Sequence, residues 1–295
     1  MSWQLLATIS FLFVAGSLIA ARLLARDRAN SGASFVINAG AFTFLWLTGL
    51  LLLPQFGPVN SHTLSDFFWR LVGGGVAFAL TNVATYKSLT YIDAATGTIF
   101  NTLNTLFSVG LAAVVLNEDL TAWQAIGGVL LIMAVIYSTL ALRNKSSNLS
   151  KRALLCGLGF AILAGLIYSV AIVNEKSLLG QMSSGSYIVY GWGWQWLALV
   201  IMAVILQAKK FKLLYRSATF RLVVVFGVLR GIGGAAFVLA EVRSNNVALI
   251  SVISNFKIIV VVAIGAWLLK ERTRLRQKAI GALIALAGLS MMFWK

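Results

Sequence analysis

Charge is what this sequence has least of. Only 11% of its 295 residues are Asp, Glu, Lys or Arg, against about 25% in soluble domains, so a water-facing surface could not be covered. Acids are scarcer still, 8 against 24 Lys and Arg. One cysteine, Cys156, excludes an intrachain disulfide, and its place in an apolar segment fits a small packing residue. There is one histidine, His62, in a connection, and the acids do not cluster within apolar segments. A membrane enzyme needs a nucleophile, an acid–base pair or a metal site, and the chain has little from which to build one. No catalytic residue, metal or cofactor is expected. A Walker motif is missing, which argues against direct ATP use. So are alternating ten-residue apolar segments, which argues against a β-barrel.

What is present is hydrophobic length. Of the residues, 60% are hydrophobic and the mean hydropathy is +0.90. They fall in segments of about 20, the length a helix needs to cross roughly 30 Å of hydrocarbon. Ten spans are expected, at 3–21, 35–53, 67–88, 94–116, 122–142, 153–175, 186–207, 222–241, 247–269 and 279–294. The first is expected to stay in place, because Met1-Ser2-Trp3-Gln4 has no basic side chain and no small-residue cleavage site is evident. The lipid bilayer is then the principal partner. The formal charge of +16 reflects cations in short connections, which is membrane topology rather than nucleic-acid binding.

The halves repeat. Gly74-Gly75-Val76-Ala77-Phe78 in span 3 overlays Gly233-Gly234-Ala235-Ala236-Phe237 in span 8. Leu116-Asn117-Glu118 and Leu269-Lys270-Glu271 close spans 4 and 9, and Ile126-Gly127 and Ile280-Gly281 open spans 5 and 10. Five is odd, so the second half must cross in the opposite sense. The expected fold class is an all-α polytopic membrane protein of ten helices in two inverted five-helix repeats, residues 1–145 and 146–295. Secondary transporters use this plan and bind substrate near the midplane, between the repeats.

Ala94-Ala95 … Leu116-Asn117-Glu118 … Gln124-Ala125-Ile126-Gly127 in one half, and Val247-Ala248 … Leu269-Lys270-Glu271 … Gln277-Lys278-Ala279-Ile280-Gly281 in the other, resemble the EamA-like branch of the drug/metabolite transporter superfamily. The resemblance covers most of both halves. It implies a ten-helix carrier or exporter of amino acids, sugars, nucleotide sugars, choline-like compounds or lipid-linked sugars. Many members carry a proline in spans 4 and 9, about 13 residues before the Glu. This chain has Asn104-Thr105 and Lys257-Ile258 there.

The basic residues are sided. Connections after odd-numbered spans hold 18, while the face with both termini holds four: Arg70, Lys176, Arg243 and Lys295. The positive-inside rule then puts both termini on the non-cytoplasmic side, against the usual orientation of the superfamily.

Two cations lie near mid-span, Arg230 in span 8 and Lys257 in span 9. Each costs at least ~2.5 kcal/mol at bilayer depth. All the acids, Glu175 and Glu241 included, lie in connections or near span ends, so no carboxylate is expected at the same depth. The cations either meet an anionic substrate group or bond backbone carbonyls and polar side chains, or Lys257 is held neutral by desolvation. In span 4, Gly97, Asn101, Asn104 and Ser108 share a helix face. They line a cavity or serve as interhelical glue, and Asn104 is the symmetry counterpart of Lys257. In span 7, Trp192 and Trp196 share a face; they form a substrate wall, with Trp196 deepest, or an interfacial belt. Asn82 and Tyr168 are further candidate cavity residues. The glycine clusters of spans 3 and 8 are expected to be helix-packing sites. Glu118 and Glu271 orient the following turn or take part in proton coupling.

These readings converge on a secondary transporter moving a small anionic or zwitterionic metabolite by alternating access, with or without a coupling ion, as a monomer or homodimer in the plasma membrane. A flippase for a phosphate-linked lipid is the alternative.

Overall fold

A computed structural model describes residues 2–60, 62–116, 121–143, 151–244, 253–271 and 274–292. Among these the regular structure is helical throughout, with no strand. Only a helix can pair all its own backbone groups in hydrocarbon. Span 1 is α1 (Trp3–Arg26), span 2 α2 (Ser34–Leu51) and span 3 α3 (Phe68–Tyr91). Span 4 is two pieces, α4 (Ala94–Asn101) and α5 (Leu103–Leu116). Span 5 is α6 (Ala122–Arg143) and span 6 α7 (Lys151–Leu179). Span 7 enters through a π turn, Tyr187–Gly191, and continues as α8 (Trp192–Gln207). Span 8 is α9 (Ser217–Ser244), span 9 contains α10 (Lys257–Trp267) and span 10 is α11 (Leu275–Met292). Of these, α1, α2, α7, α9 and α11 are each long and apolar enough to cross a bilayer unaided.

The helices pack across the halves in symmetry-matched pairs. Span 1 lies along span 8, and its counterpart, span 6, lies along span 3. Span 2 packs on span 8 and span 7 on span 3, while span 1 meets span 9 and span 6 meets span 4. Spans 2 and 7, and spans 5 and 10, pair with each other about the same pseudo-two-fold axis. Five-helix repeats related in this way interleave, so their core is shared. The expected boundary at 145/146 lies outside the described residues, as do Asn117 and Glu118.

Glycines of both clusters, Gly75 in span 3 and Gly227, Gly231 and Gly233 in span 8, sit at these crossings. A Cβ at Gly75 would stand 2.8 Å from the Gln195 backbone nitrogen, and one at Gly227 would collide with the Ala41 carbonyl oxygen. Spans 5 and 10 cross at Gly127 and Gly288, where each missing Cβ would meet the other's carbonyl oxygen at 2.5 and 2.8 Å. These glycines allow backbone to approach backbone, as expected for packing sites in lipid.

Spans 4 and 9 are both interrupted. Around Thr102 the ladder tightens to three-residue steps, Thr102 N–H to Ile99 O at 3.1 Å and Thr105 N–H to Thr102 O at 3.0 Å. Around Phe256 the pattern recurs, Phe256 N–H to Ile253 O and Ile259 N–H to Phe256 O, both 3.0 Å. The interruptions are 154 residues apart, in step with the sequence repeat. Neither contains proline.

Two expectations need correcting. Cys156 is exposed rather than a packing residue. Span 6 runs on to Leu179 rather than ending at 175, which draws Glu175 a full turn inside the helix.

Candidate functional site

Two adjoining cavities occupy the axis of the molecule. The first, about 140 Å³, is bounded by Ser10, Phe78, Glu175, Trp192, Gly234 and Val238, among others. These positions lie toward the ends of their helices nearest the face that carries Ser2, hereafter the terminal face. The second, about 80 Å³, extends toward the basic face and is bounded by Leu18, Ala21, Thr85, Leu89, Asn101 and Asn104, among others. Both share Val14, Asn82, Tyr168, Arg230 and Lys257. Those five form the partition between an upper and a lower chamber.

Six of the seven candidate residues therefore meet at one place. Arg230 and Lys257 lie within electrostatic reach of each other, and neither is in an ion pair among the described residues. Lys257 is at the partition because span 9 is interrupted just before it, at Phe256. Tyr168 lies beside Arg230 and packs edge-on against Phe78, ring centroids 5.9 Å apart. The Asn82 amide donates to the Phe78 carbonyl at 2.7 Å. Asn101 and Asn104 flank the span 4 interruption and still share the lower chamber. The Asn104 carbonyl accepts from Ser169 Oγ at 2.9 Å. Gly97, the first member of that stripe, packs against Leu89 and Ile92.

Trp196 lies outside both chambers. Its Nε1–H donates to Thr43 Oγ1 at 2.9 Å, and its ring stacks on Trp46 at 5.0 Å, so span 2 covers it. Trp194 packs edge-on against Phe68. Trp192 reaches the upper chamber instead, directly after the π turn, whose closing bond runs from Trp192 N–H to Tyr187 O. The extra residue of a π turn re-aims the side chains that follow it, and such turns concentrate at functional sites. The sequence offered only Gly191 as a clue: the Tyr187 ring lies 2.7 Å from where its Cβ would be.

Three residues of the upper chamber, Glu175, Tyr187 and Gln195, were not anticipated. Glu175 is 7% exposed and lines the same cavity as Arg230 and Lys257, so a carboxylate does share the axis with them. Tyr187 faces Glu175 through its hydroxyl, and Gln195 and Trp192 are buried beside them. Alternation of polar and apolar residues could not have marked Glu175, because span 6 was read as ending there.

Below the lower chamber, toward the basic face, lies a polar network. Arg22 Nε pairs with Glu271 Oε1 at 2.9 Å, and its guanidinium also donates to the Leu89 carbonyl. Glu271 Oε2 accepts the Ala94 N–H at 3.2 Å, at the start of α4. Arg26 donates to the Leu269 carbonyl at 3.2 Å. Lys278 pairs with Asp93 at 3.1 Å, and Asp93 caps α4 through the Thr96 N–H at 3.0 Å. Span 1 and the α4 start, from the first half, are thus clamped to the ends of spans 9 and 10, from the second.

Residues 1–140 match the EamA-like transporter family, in keeping with the resemblance seen in the motifs. No curated protein matches. A solved structure titled "Crystal structure of protein" is similar at a TM-score of 0.68 with 15% identity, over 98% of this chain and 95% of that one; at that identity it speaks for the fold alone. The match spans the first half of the chain and is to membrane transporters, and the long apolar helices fit a multi-pass membrane protein.

Proposed function

We propose that the protein is a secondary transporter for a small metabolite bearing a carboxylate or similar anionic group, which binds at the partition formed by Arg230, Lys257, Tyr168 and Asn82. The observation that carries this reading is the pair of axial cations, shared by both chambers and in no ion pair among the described residues. A charge in the membrane interior is retained where it meets water, a partner or a substrate. Arg230 offers a planar fork suited to bidentate contact, and Lys257 a point charge. Asn101 and Asn104 are placed to hydrogen-bond ligand from the lower side. The chamber volumes, about 140 and 80 Å³, fall below the roughly 300–1,000 Å³ of pockets for drug-sized ligands and suit a small metabolite.

Alternating access follows from the closure on one side. The Arg22–Glu271 and Lys278–Asp93 pairs hold the lower chamber shut toward the basic face, and their release opens it. The positive-inside bias makes that face cytoplasmic.

The test is a thermal-shift series with wild type, Arg230→Gln and Lys257→Gln against monocarboxylates, sugar phosphates and neutral sugars. A ligand that binds only the folded protein raises its apparent melting temperature. Stabilisation of wild type by anionic compounds, lost in either variant, supports the reading. Equal stabilisation of all three proteins refutes it.

A further inference from the structure

The upper chamber is electrically polar, and this carries the substrate assignment further. At the partition end stand Arg230 and Lys257. At the other end stands Glu175, 7% exposed, with the Tyr187 hydroxyl against it. A second carboxyl, Glu241, lies within electrostatic reach of Glu175, and its buried Oε2 has no hydrogen-bond partner among the described residues. The basic side chain facing these acids is Lys176, which is itself exposed. Glu175 is in no ion pair among the described residues, although it shares a cavity with two cations. The chamber therefore keeps its charges of opposite sign apart. A buried carboxylate is unfavourable until a cation completes it, and two neighbouring carboxyls repel until one does. The Trp192 ring, 7% exposed and on the wall beside Glu175, adds an aromatic face of the kind that attracts ammonium groups.

The separation selects the ligand. Tyr168, beside Arg230, and Glu175 are seven residues apart on α7, which is about 10 Å along a helix axis. Ile172 completes their common face on the chamber wall. Ordinary bond lengths put the ammonium and carboxylate of an α-amino acid only about 3 Å apart; with a hydrogen bond of about 2.8 Å at each end it reaches about 9 Å, just short of the span, whereas an ammonium further along the chain covers it. A volume of 140 Å³ corresponds to about five water molecules, enough for a short unbranched chain and little more.

We propose that Glu175, with Tyr187 and Trp192, is a cation subsite, and that the ligand is an ω-amino acid whose ammonium sits there while its carboxylate meets Arg230 and Lys257. This rests on the anion reading above. The test is direct binding to the purified protein of 5-aminopentanoate and 6-aminohexanoate, compared with pentanoate, hexanoate, glycine and 1,5-diaminopentane at one ionic strength. Wild type is expected to bind the two ω-amino acids about tenfold or more tightly than their amine-free counterparts, and more tightly than glycine or the diamine. Glu175→Gln should bring the ratio of 6-aminohexanoate to hexanoate affinity close to one while hexanoate still binds. Glu175→Asp, which keeps the charge, should retain a preference and guards against a folding artefact. Equal binding of hexanoate and 6-aminohexanoate by wild type overturns the proposal and leaves the anion site standing, as does an unchanged ratio in Glu175→Gln. Failure of every carboxylate to bind wild type overturns the anion site and this subsite together.

Discussion

At the scale of single residues, the two axial cations dominate. Hydrogen bonds to charged groups contribute about 1.5–3 kcal/mol, so Arg230→Gln is expected to weaken an anionic ligand roughly ten- to hundredfold without unfolding the protein, as read by calorimetry or thermal shift. The glycines at helix crossings behave oppositely. Gly75→Val places methyls where the Gln195 backbone nitrogen is 2.8 Å from the first added carbon. Overpacking of this kind costs typically 1–3 kcal/mol, which should appear as a lowered melting temperature with or without ligand. Arg230, Lys257, Asn82, Asn101, Asn104 and Tyr168 could be picked from the sequence because polar groups are conspicuous in apolar spans. Glu175 could not, since its membership of the site depends on where span 6 stops. Trp196 was misjudged for a similar reason: depth along a span does not say which neighbour covers a side chain.

Among elements, spans 4 and 9 matter most. Both are interrupted at matching places by i→i−3 steps, and the interrupted segments bear Asn101, Asn104 and Lys257. Such mid-helix 3₁₀ steps often mark a hinge, and broken helices at the binding site are usual in transporters built of inverted repeats. Hydrogen exchange should therefore find the amides near Thr102 and Phe256 less protected than those in the middle of α1 or α9, with the difference reduced when ligand is bound. The length and order of the spans were legible in the hydrophobic runs. The interruptions were not, because the proline that would have announced them is missing. In span 7 only Gly191, against which the Tyr187 ring lies, hinted at the π turn.

For the whole molecule, the sequence repeat already implied the pseudo-two-fold plan, and the sidedness of Lys and Arg implied an orientation. The interleaving of the halves was beyond reach, since a single sequence does not say which helix faces pair. Two labelling experiments belong at this scale, both in a Cys156→Ala background, because the native thiol is exposed. With Thr85→Cys in the lower chamber, adding Arg22→Ala should raise labelling by an impermeant thiol reagent from the basic face several-fold; unchanged labelling rules out the clamp as a gate. With Ser2→Cys, the same reagent applied to intact cells should react if the positive-inside assignment is right, and should fail if the termini are cytoplasmic.

The matched pairing of spans across the halves also bears on how the protein is made. Span 1 has its main partner in span 8, and span 3 in span 6. During synthesis the first five spans enter the bilayer before most of their contact surfaces exist, and their glycine faces stay in lipid until the second half arrives. A ribosome-released fragment ending after span 5 should be short-lived in the cell, whereas co-expression of the two halves as separate polypeptides should rescue both.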